Sequence, residues 1–353
     1  VRLRRSLTTA VGLAAVGSLA LAACSSGADP EPGEETTATQ DAGDDDATDE
    51  FPVTITHALG ETVIEEAPER VATWGWGSTE AALAVGVAPV GVGEQIFTVG
   101  EQALLPWVEE EYDALGAEHP VIFTDAEGGA AVPYEEFVEA DPDLIVAPYS
   151  GLTQEQYDVL SDIAPVVAYP EAPWITPWDD IITLTAEALG RSAAGDQVLA
   201  DIDTYLADLA AEHPEIEGKT FAAIVDSPSD GLVYVYTPAD PRVSILENLG
   251  VVSAPSVDEL DTSDGGFFYT LSYEELDKLE ADFVIAYTYT QEEADTFGEG
   301  AALQAVPAIA EGNIVKVVEP VAVSSVSPPT ALSYDWADGV PSVVDQLAEI
   351  YGG

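Results

Sequence analysis

The chain has 353 residues, 66 acidic side chains against nine basic ones, and a formal net charge of −57 at pH 7. That balance excludes a nucleic-acid binder and a polybasic lipid-surface binder, both of which need a basic footprint. Hydrophobic residues make up 47% of the chain, which excludes disorder as a whole. The roughly 300 residues beyond the N-terminal region exceed one ordinary core, so two lobes are expected.

Residues 1–23 place Arg2, Arg4 and Arg5 before an apolar run of small residues and leucines, the pattern of a secretory signal. Cys24, the only cysteine in the sequence, ends that run after Leu21-Ala22-Ala23, which resembles a bacterial lipobox. It is the expected lipidation site, and a single cysteine supports neither a disulfide framework nor a thiolate metal cluster. Residues 25–50 hold ten acids, no base and no aromatic. Such a segment buries too little apolar area to offset its ordering entropy, so 24–50 reads as a lipidated cysteine on a flexible acidic tether.

From Phe51 the pattern changes. Residues 51–66 alternate on both sides of an Ala-Leu-Gly turn and predict a hairpin. Residues 71–74 read as a strand, 78–85 as a helix with Ser78 at its N-cap, and 90–92 as a strand. A helix at 133–140, a strand at 144–147, a helix at 153–162 and a strand at 166–169 follow. Strands alternating with helices predict a parallel α/β sheet, giving a first lobe over 51–177. Residues 178–213 predict a connecting helix, with Val198, Ile202, Tyr205, Leu206 and Leu209 on one apolar face. Gly190 and Gly195 are the places where it could be interrupted. A second lobe, 214–353, repeats the α/β pattern, with strands at 221–225, 283–286 and 314–318 and a closing helix at 342–350. Residues 134–147 (YEEFVEADPDLIVA) and 273–286 (YEELDKLEADFVIA) align without a gap at an offset of 139, which indicates duplicated lobes.

Lipobox, acidic tether, α/β lobe, helical connection and second α/β lobe together resemble the solute-binding lipoproteins of ABC importers for ferric siderophores and cobalamin. The segments that carry the resemblance are APERVATWGWGSTEAALAVGVAPVGV (67–92), VPYEEFVEADPDLIVAPYSG (132–151), GKTFAAIV (218–225), DPRVSILENLGV (240–251), LSYEELDKLEADFVIAY (271–287) and LQAVPAIAEGNIVKV (303–317). Actinobacterial iron-siderophore binding proteins look most similar. The resemblance implies two Rossmann-like lobes on a helical backbone, the class III periplasmic-binding-protein fold. It implies a lipid-anchored monomer on the outer face of the cytoplasmic membrane. Such a protein carries no cofactor, captures a ferric siderophore between its lobes and delivers it to permease subunits served by a cytoplasmic ATPase. Cobalamin or haem is the second reading.

In open α/β sheets ligands bind at the carboxyl ends of strands. The aromatics expected there are Trp74, Trp76, Tyr149 and Trp174 in the first lobe and Tyr236, Phe268 and Tyr287 in the second, with Phe267 and Tyr289 beside them. Arg242 is one of only six basic residues beyond the signal. It stands at a helix start, where the dipole disfavours a cation, so a role facing acidic ligand oxygens is expected. With one such cation in a strongly acidic chain, a neutral or cationic ferric hydroxamate is favoured over a triscatecholate. Glu135 and Glu274 occupy equivalent places in the repeat, and the resemblance implies that they dock onto permease arginines; Glu136 and Glu275 are the adjacent candidates. His57, His119 and His213 lie far apart with no metal-binding spacing, and neither G-x-S-x-G nor a P-loop occurs. No enzyme activity and no directly bound metal are therefore expected. The spread of carboxylates suits surroundings of high salt or high pH.

Overall fold

The structure is a computed structural model that describes residues 49–95, 104–125 and 128–352. The expected signal, Cys24 and the tether up to residue 48 lie outside the described residues. Asp49, expected to belong to the tether, is instead anchored. Its N–H donates to the Gly190 carbonyl at 2.8 Å, and its carboxylate accepts from the Ser192 N–H at 3.2 Å and the Ser192 hydroxyl at 2.5 Å. A carboxylate at that place complements the positive end of the helix that begins at Ser192.

The folded body opens on the hairpin of β1 (Val53–His57) and β2 (Gly60–Ile64), paired antiparallel with Val53 opposite Ile64. The first lobe then alternates β3 (Val71–Thr73), α1 (Ser78–Ala84), β4 (Gly91–Gly93), α2 (Pro106–Leu115), β5 (Val121–Phe123), α3 (Tyr134–Ala140), β6 (Leu144–Val146), α4 (Gln154–Ser161) and β7 (Val166–Val167). The five strands β3 to β7 are parallel, in the order β5-β4-β3-β6-β7. β3 and β6 are buried at every residue, as strands covered on both faces must be. Ser78 is not the N-cap of α1. Gly77 holds that position at φ 79°, and Ser78 is the first helical residue, fully buried.

The stretch 178–213 is two helices, not one: α5 (Trp178–Ala188) and α6 (Ser192–Glu212). Gly190, at φ 67°, makes the break. Gly195 does not interrupt α6; a Cβ there would come within 2.5 Å of the Ala186 side chain, so its missing side chain lets α5 and α6 pack closely. The rigid span is therefore the 21 residues of α6, roughly 30 Å, and not the roughly 50 Å of an unbroken helix. Trp178 and Ile182 of α5 and Ile202 and Leu206 of α6 join the core of the second lobe, while Ala186, Ala188 and Leu189 belong to the core of the first.

The second lobe comprises β8 (Thr220–Ser227), β9 (Leu232–Tyr236), α7 (Pro241–Glu247), β10 (Val252–Ser253), α8 (Pro255–Leu260), β11 (Phe268–Ser272), β12 (Phe283–Thr288), α9 (Gln291–Thr296), α10 (Pro307–Glu311), β13 (Ile314–Val318), α11 (Pro320–Val326) and α12 (Val340–Tyr351). Its sheet runs β11-β9-β8-β12-β13 with β10 beside β8, and β9 is antiparallel to both neighbours. The two lobes thus carry separate sheets.

The sequence repeat has a structural counterpart in three strands of each sheet, β3-β6-β7 and β8-β12-β13. Val71 pairs with Leu144, and Phe221 pairs with Phe283. Asp143, just before β6, accepts the backbone N–H groups of Glu69 and Arg70 at 2.7 and 3.0 Å. Its counterpart Asp282, just before β12, accepts the Thr220 N–H at 2.8 Å. Each carboxylate pins the start of the neighbouring strand and sets its register. The helix of the first copy, α3, is a 3-10 helix in the second, Tyr273–Lys278. The outer strands differ, parallel in one lobe and antiparallel in the other.

Candidate ligand-binding site

Trp76 leaves β3 through Gly75, whose φ of 84° only glycine adopts readily. A Cβ on Gly75 would lie 2.2 Å from the Tyr149 carbonyl. That close approach lets the Trp76 N–H donate to the same carbonyl at 3.1 Å, tying the loops after β3 and β6 together. Trp174, after β7, is held at φ 62°, an outlier for a bulky side chain. Its indole packs against Gly151, where a Cβ would sit 2.6 Å from Nε1, and it meets Tyr149 edge-on at 5.6 Å and Trp76 at 6.1 Å.

The second lobe supplies the charge. Alternation along β12 turns Phe283, Ile285 and Tyr287 to one face of the sheet and Val284 and Ala286 to the other. Tyr236, at the end of β9, rises on the Tyr287 face, and the two rings meet edge-on at 5.9 Å. Arg242 lies over them, its guanidinium carbon 3.7 Å from the Tyr236 centroid and 5.5 Å from that of Tyr287. Asp240 N-caps α7 through the Arg242 N–H at 2.9 Å and also accepts Arg242 Nε at 2.7 Å. Arg242 also gives Tyr236 a side-chain hydrogen bond. Burial opposes the charge of Arg242, but Asp240 together with the hydroxyls of Tyr236, Tyr287 and Tyr149 outweighs it and the side chain stays protonated. Burial likewise pushes Asp240 up and Arg242 pulls it back; at 2.7 Å from a guanidinium it is the anion of the pair.

The two halves enclose a cavity of about 290 Å³ lined by Trp76, Gly128, Tyr149 and Trp174 from the first lobe and Tyr236, Arg242, Phe267, Tyr289, Val323 and Ser327 from the second. Burial pushes the Tyr149 phenol up; Asp240 adds to this and Arg242 opposes it, so groups of the two lobes feel each other across the cavity. Five expected residues therefore converge: Trp76, Tyr149, Trp174, Tyr236 and Arg242. Three do not line it. Trp74 is a core residue, 1% exposed and edge-on to Phe137 at 5.8 Å. Phe268 packs on Tyr234 at 5.4 Å, and its neighbour Phe267 takes the cavity position. Tyr287 lies behind the Arg242–Tyr236 stack and faces a neighbouring cavity, leaving Tyr289 in the first. Gly128, Val323 and Ser327 carry no chemical signal in the sequence that marks them for a site.

Glu135 and Glu274 lie away from this cavity, in the first turn of α3 and of its 3-10 counterpart, and both are exposed. Their neighbours are committed locally. Glu136 accepts the Thr124 N–H at 2.6 Å and hydroxyl at 2.9 Å, and Glu275 accepts Lys278 Nζ at 2.9 Å and the Ser272 hydroxyl at 3.1 Å. In each copy the first glutamate of the pair is the one left facing solvent.

An aromatic cavity between two α/β lobes on a helical backbone, with a single buried cation, defines a small-molecule binding protein of the class III periplasmic type. The chain belongs to the periplasmic binding protein family, which its residues 71–319 match. It is 30% identical over 246 residues to the probable siderophore-binding lipoprotein YfiY of Bacillus subtilis (strain 168), a match covering 68% of this chain and 70% of that protein. It is also similar to the crystal structure of PiaA from Streptococcus pneumoniae TIGR4 in complex with ferrichrome, at 32% identity and a TM-score of 0.77 over 85% of this chain and 99% of that one. A periplasmic solute binding protein from Mycobacterium smegmatis str. MC2 155 shares 25% identity with a TM-score of 0.70, over 87% of this chain and all of that one.

Proposed function

We propose that this protein is the extracytoplasmic binding component of an ABC importer and that it captures a ferric siderophore of the hydroxamate type between its lobes. The observation that carries the reading is Arg242. It is buried on Tyr236, its Nε is committed to Asp240, and its side chain lines the cavity. Iron-bound hydroxamate oxygens are concentrated acceptors on a complex that is neutral overall, and one guanidinium fork matches them. A triscatecholate carries three negative charges, and this cavity offers one cation for them. The indoles of Trp76 and Trp174 and the ring of Tyr149 would cover the organic periphery. The iron stays with its chelator, which makes it cargo and not a resident metal. The relatives above, named for siderophore binding and for a ferrichrome complex, support the same class.

Export through residues 1–23, lipid attachment at Cys24 and delivery to a permease through Glu135 and Glu274 belong to the same reading, which assigns the protein no catalysis. The test is titration against ferric trihydroxamates, a ferric triscatecholate, cobalamin and haem, followed by quenching of tryptophan fluorescence in high salt. Saturable quenching by the trihydroxamates at the lowest concentration is expected. Tighter binding of cobalamin or haem would replace the ligand class while leaving the fold assignment intact.

A further inference from the structure

A second cavity, of about 480 Å³, lies wholly within the second lobe, at the carboxyl ends of β8 and β12 and against α9. It adjoins the first: Tyr289 lines both. Tyr287 forms the partition, one side against Arg242 and Tyr236 and the other lining the second cavity. Its hydroxyl is buried and has no hydrogen-bond partner among the described residues, and a buried hydroxyl left unpaired is costly unless something else supplies the partner. The walls are largely apolar, with Val225, Phe297 and Leu303 among them, and the acids within them are Asp226 and Glu293.

Asp226 is held in place. The Tyr273 hydroxyl donates to its Oδ1 at 2.7 Å, and the Ser227 backbone adds a further bond. A carboxylate accepts about four hydrogen bonds, so acceptor capacity remains. No basic side chain among the described residues pairs with it. Glu293, the other carboxylate on this wall, caps α9, its Oε2 accepting the N–H groups of Tyr289 and Thr290 at 2.9 and 3.1 Å. It fixes Tyr289 at the junction of the two cavities.

We propose that this cavity receives a cationic arm of the ligand, an aliphatic tether ending in a primary ammonium, with Asp226 as its counter-charge and Tyr273 as the group that positions that carboxylate. The inference rests on the reading of the interlobe cavity as a ferric hydroxamate site. A cavity of about 290 Å³ is at the small end for ligand sites, and the chelate core that fills it would pass its longest substituent beside Tyr289. An aliphatic tether suits the apolar walls, and the ammonium suits Asp226. Burial pushes the Asp226 carboxyl up, as befits an acid whose cation arrives with the ligand.

The experiment compares two linear ferric trihydroxamates that differ only at one terminus, a free primary amine in one and its N-acetyl derivative in the other. Affinities are measured by tryptophan quenching in high salt on the wild-type protein and on Asp226→Asn, with thermal melts recorded for both. The amine form should bind the wild type about tenfold tighter, the size of a charge-assisted contact. In Asp226→Asn that preference should vanish while the acetylated chelate keeps its affinity. Equal affinities on the wild type, a comparison that needs no variant, would overturn the subsite and leave the interlobe site standing. A preference that survives Asp226→Asn would also overturn it, because the overall negative field of the protein would then be its source. Failure of both chelates to bind would refute the hydroxamate reading itself, and the subsite with it.

Discussion

The Arg242–Asp240 pair can be separated into a structural and a ligand-binding part by comparing Arg242→Ala with the double variant Arg242→Ala/Asp240→Asn. Arg242 is 7% exposed and Asp240 is 1% exposed. Truncating the arginine alone strands a buried carboxylate, which costs about 3–5 kcal/mol of folding stability. In the double variant the stranded charge is gone. Asn caps a helix about as well as Asp, so the start of α7 is kept, and the remaining loss is the packing of the guanidinium on Tyr236, about 0.5–2 kcal/mol for a stacked cation. The double variant should therefore be more stable than the single by about 2 kcal/mol or more. Ligand affinity should behave differently. Both variants lack the terminal nitrogens, so both should lose about 1.5–3 kcal/mol of binding. Urea denaturation in high salt gives the stabilities, and tryptophan quenching by a ferric trihydroxamate gives the affinities. Equal stability of the two variants would refute Asp240 as a buried anion dependent on Arg242. Wild-type affinity in both would refute Arg242 as the ligand's donor.

Trp76→Ala and Tyr149→Ala should each weaken the same ligand by about 1–3 kcal/mol, the scale for a large side chain buried against a partner, whereas Trp74→Ala should mainly lower the melting temperature; the quenching titration and a melt tell these apart. Glu80 is fully buried, its Oε1 accepting Trp107 Nε1 at 3.3 Å and its Oε2 without a partner. Burial raises its carboxyl above the ordinary 4.5, more than its hydrogen bonds lower it, and Tyr112, which donates to the Pro89 carbonyl at 2.7 Å, is the titratable group coupled to it. The folded state then holds a proton that the unfolded state releases, so this contribution is complete below 4.5 and is lost as pH rises through the folded value. Stability of Glu80→Gln relative to wild type should accordingly improve as pH rises above 4.5, and a difference that does not change with pH would exclude a neutral Glu80. Glu135→Ala combined with Glu274→Ala should spare ligand affinity and impair uptake into cells, and a collapse of affinity would place those side chains in the fold or the cleft. Cys24→Ala should release the protein from the membrane, read by fractionation and by the absence of a lipid mass on the N-terminal peptide.

The sequence was informative where one side chain type had one physical use. The hairpin showed in its alternation, the repeat in its matched Tyr-Glu-Glu and Asp positions, and Arg242 in the scarcity of bases. It was silent wherever one residue of offset decides the outcome. Trp74 and Trp76 sit two apart, but the Gly75 bend sends the first into the core against Phe137 and the second into the cavity. Phe267 and Phe268 touch edge-on at 4.8 Å, yet only Phe267 lines the cavity, while Phe268 packs back on Tyr234. The β9–β11 pair escaped because its strands are separated by α7, β10 and α8, so no local pattern links them. Val323 and Ser327 lie on or just after α11 in a stretch of Val, Ala and Ser, and only the tertiary fold turns them toward Arg242. The repeat does not extend to the winding of its helices: the first copy is α-helical and the second winds as a 3-10 helix.

The acidity of the chain and the single cation of its cavity are parts of one arrangement. Beyond the signal the chain has six bases, and five have local positions away from the cavity. Arg70 donates to the carbonyls of Ala140 and Asp141 at the end of α3, Arg191 stands at the start of α6, Lys219 lies over the Tyr351 ring, Lys278 pairs with Glu275 and Lys316 bonds to the Ala294 carbonyl. Arg242 is the base that lines the cavity, and it is also the one with aromatic rings beneath it and a buried carboxylate beside it. Surface carboxylates are screened within about 8 Å at physiological ionic strength, and a buried charge is screened much less. The field that a ligand meets inside the cavity is therefore set by Arg242, Asp240 and the tyrosine hydroxyls, not by the excess of acids outside. This lets an overall anionic protein present a positive donor to iron-bound oxygens, and it makes the choice of ligand a property of a few buried groups.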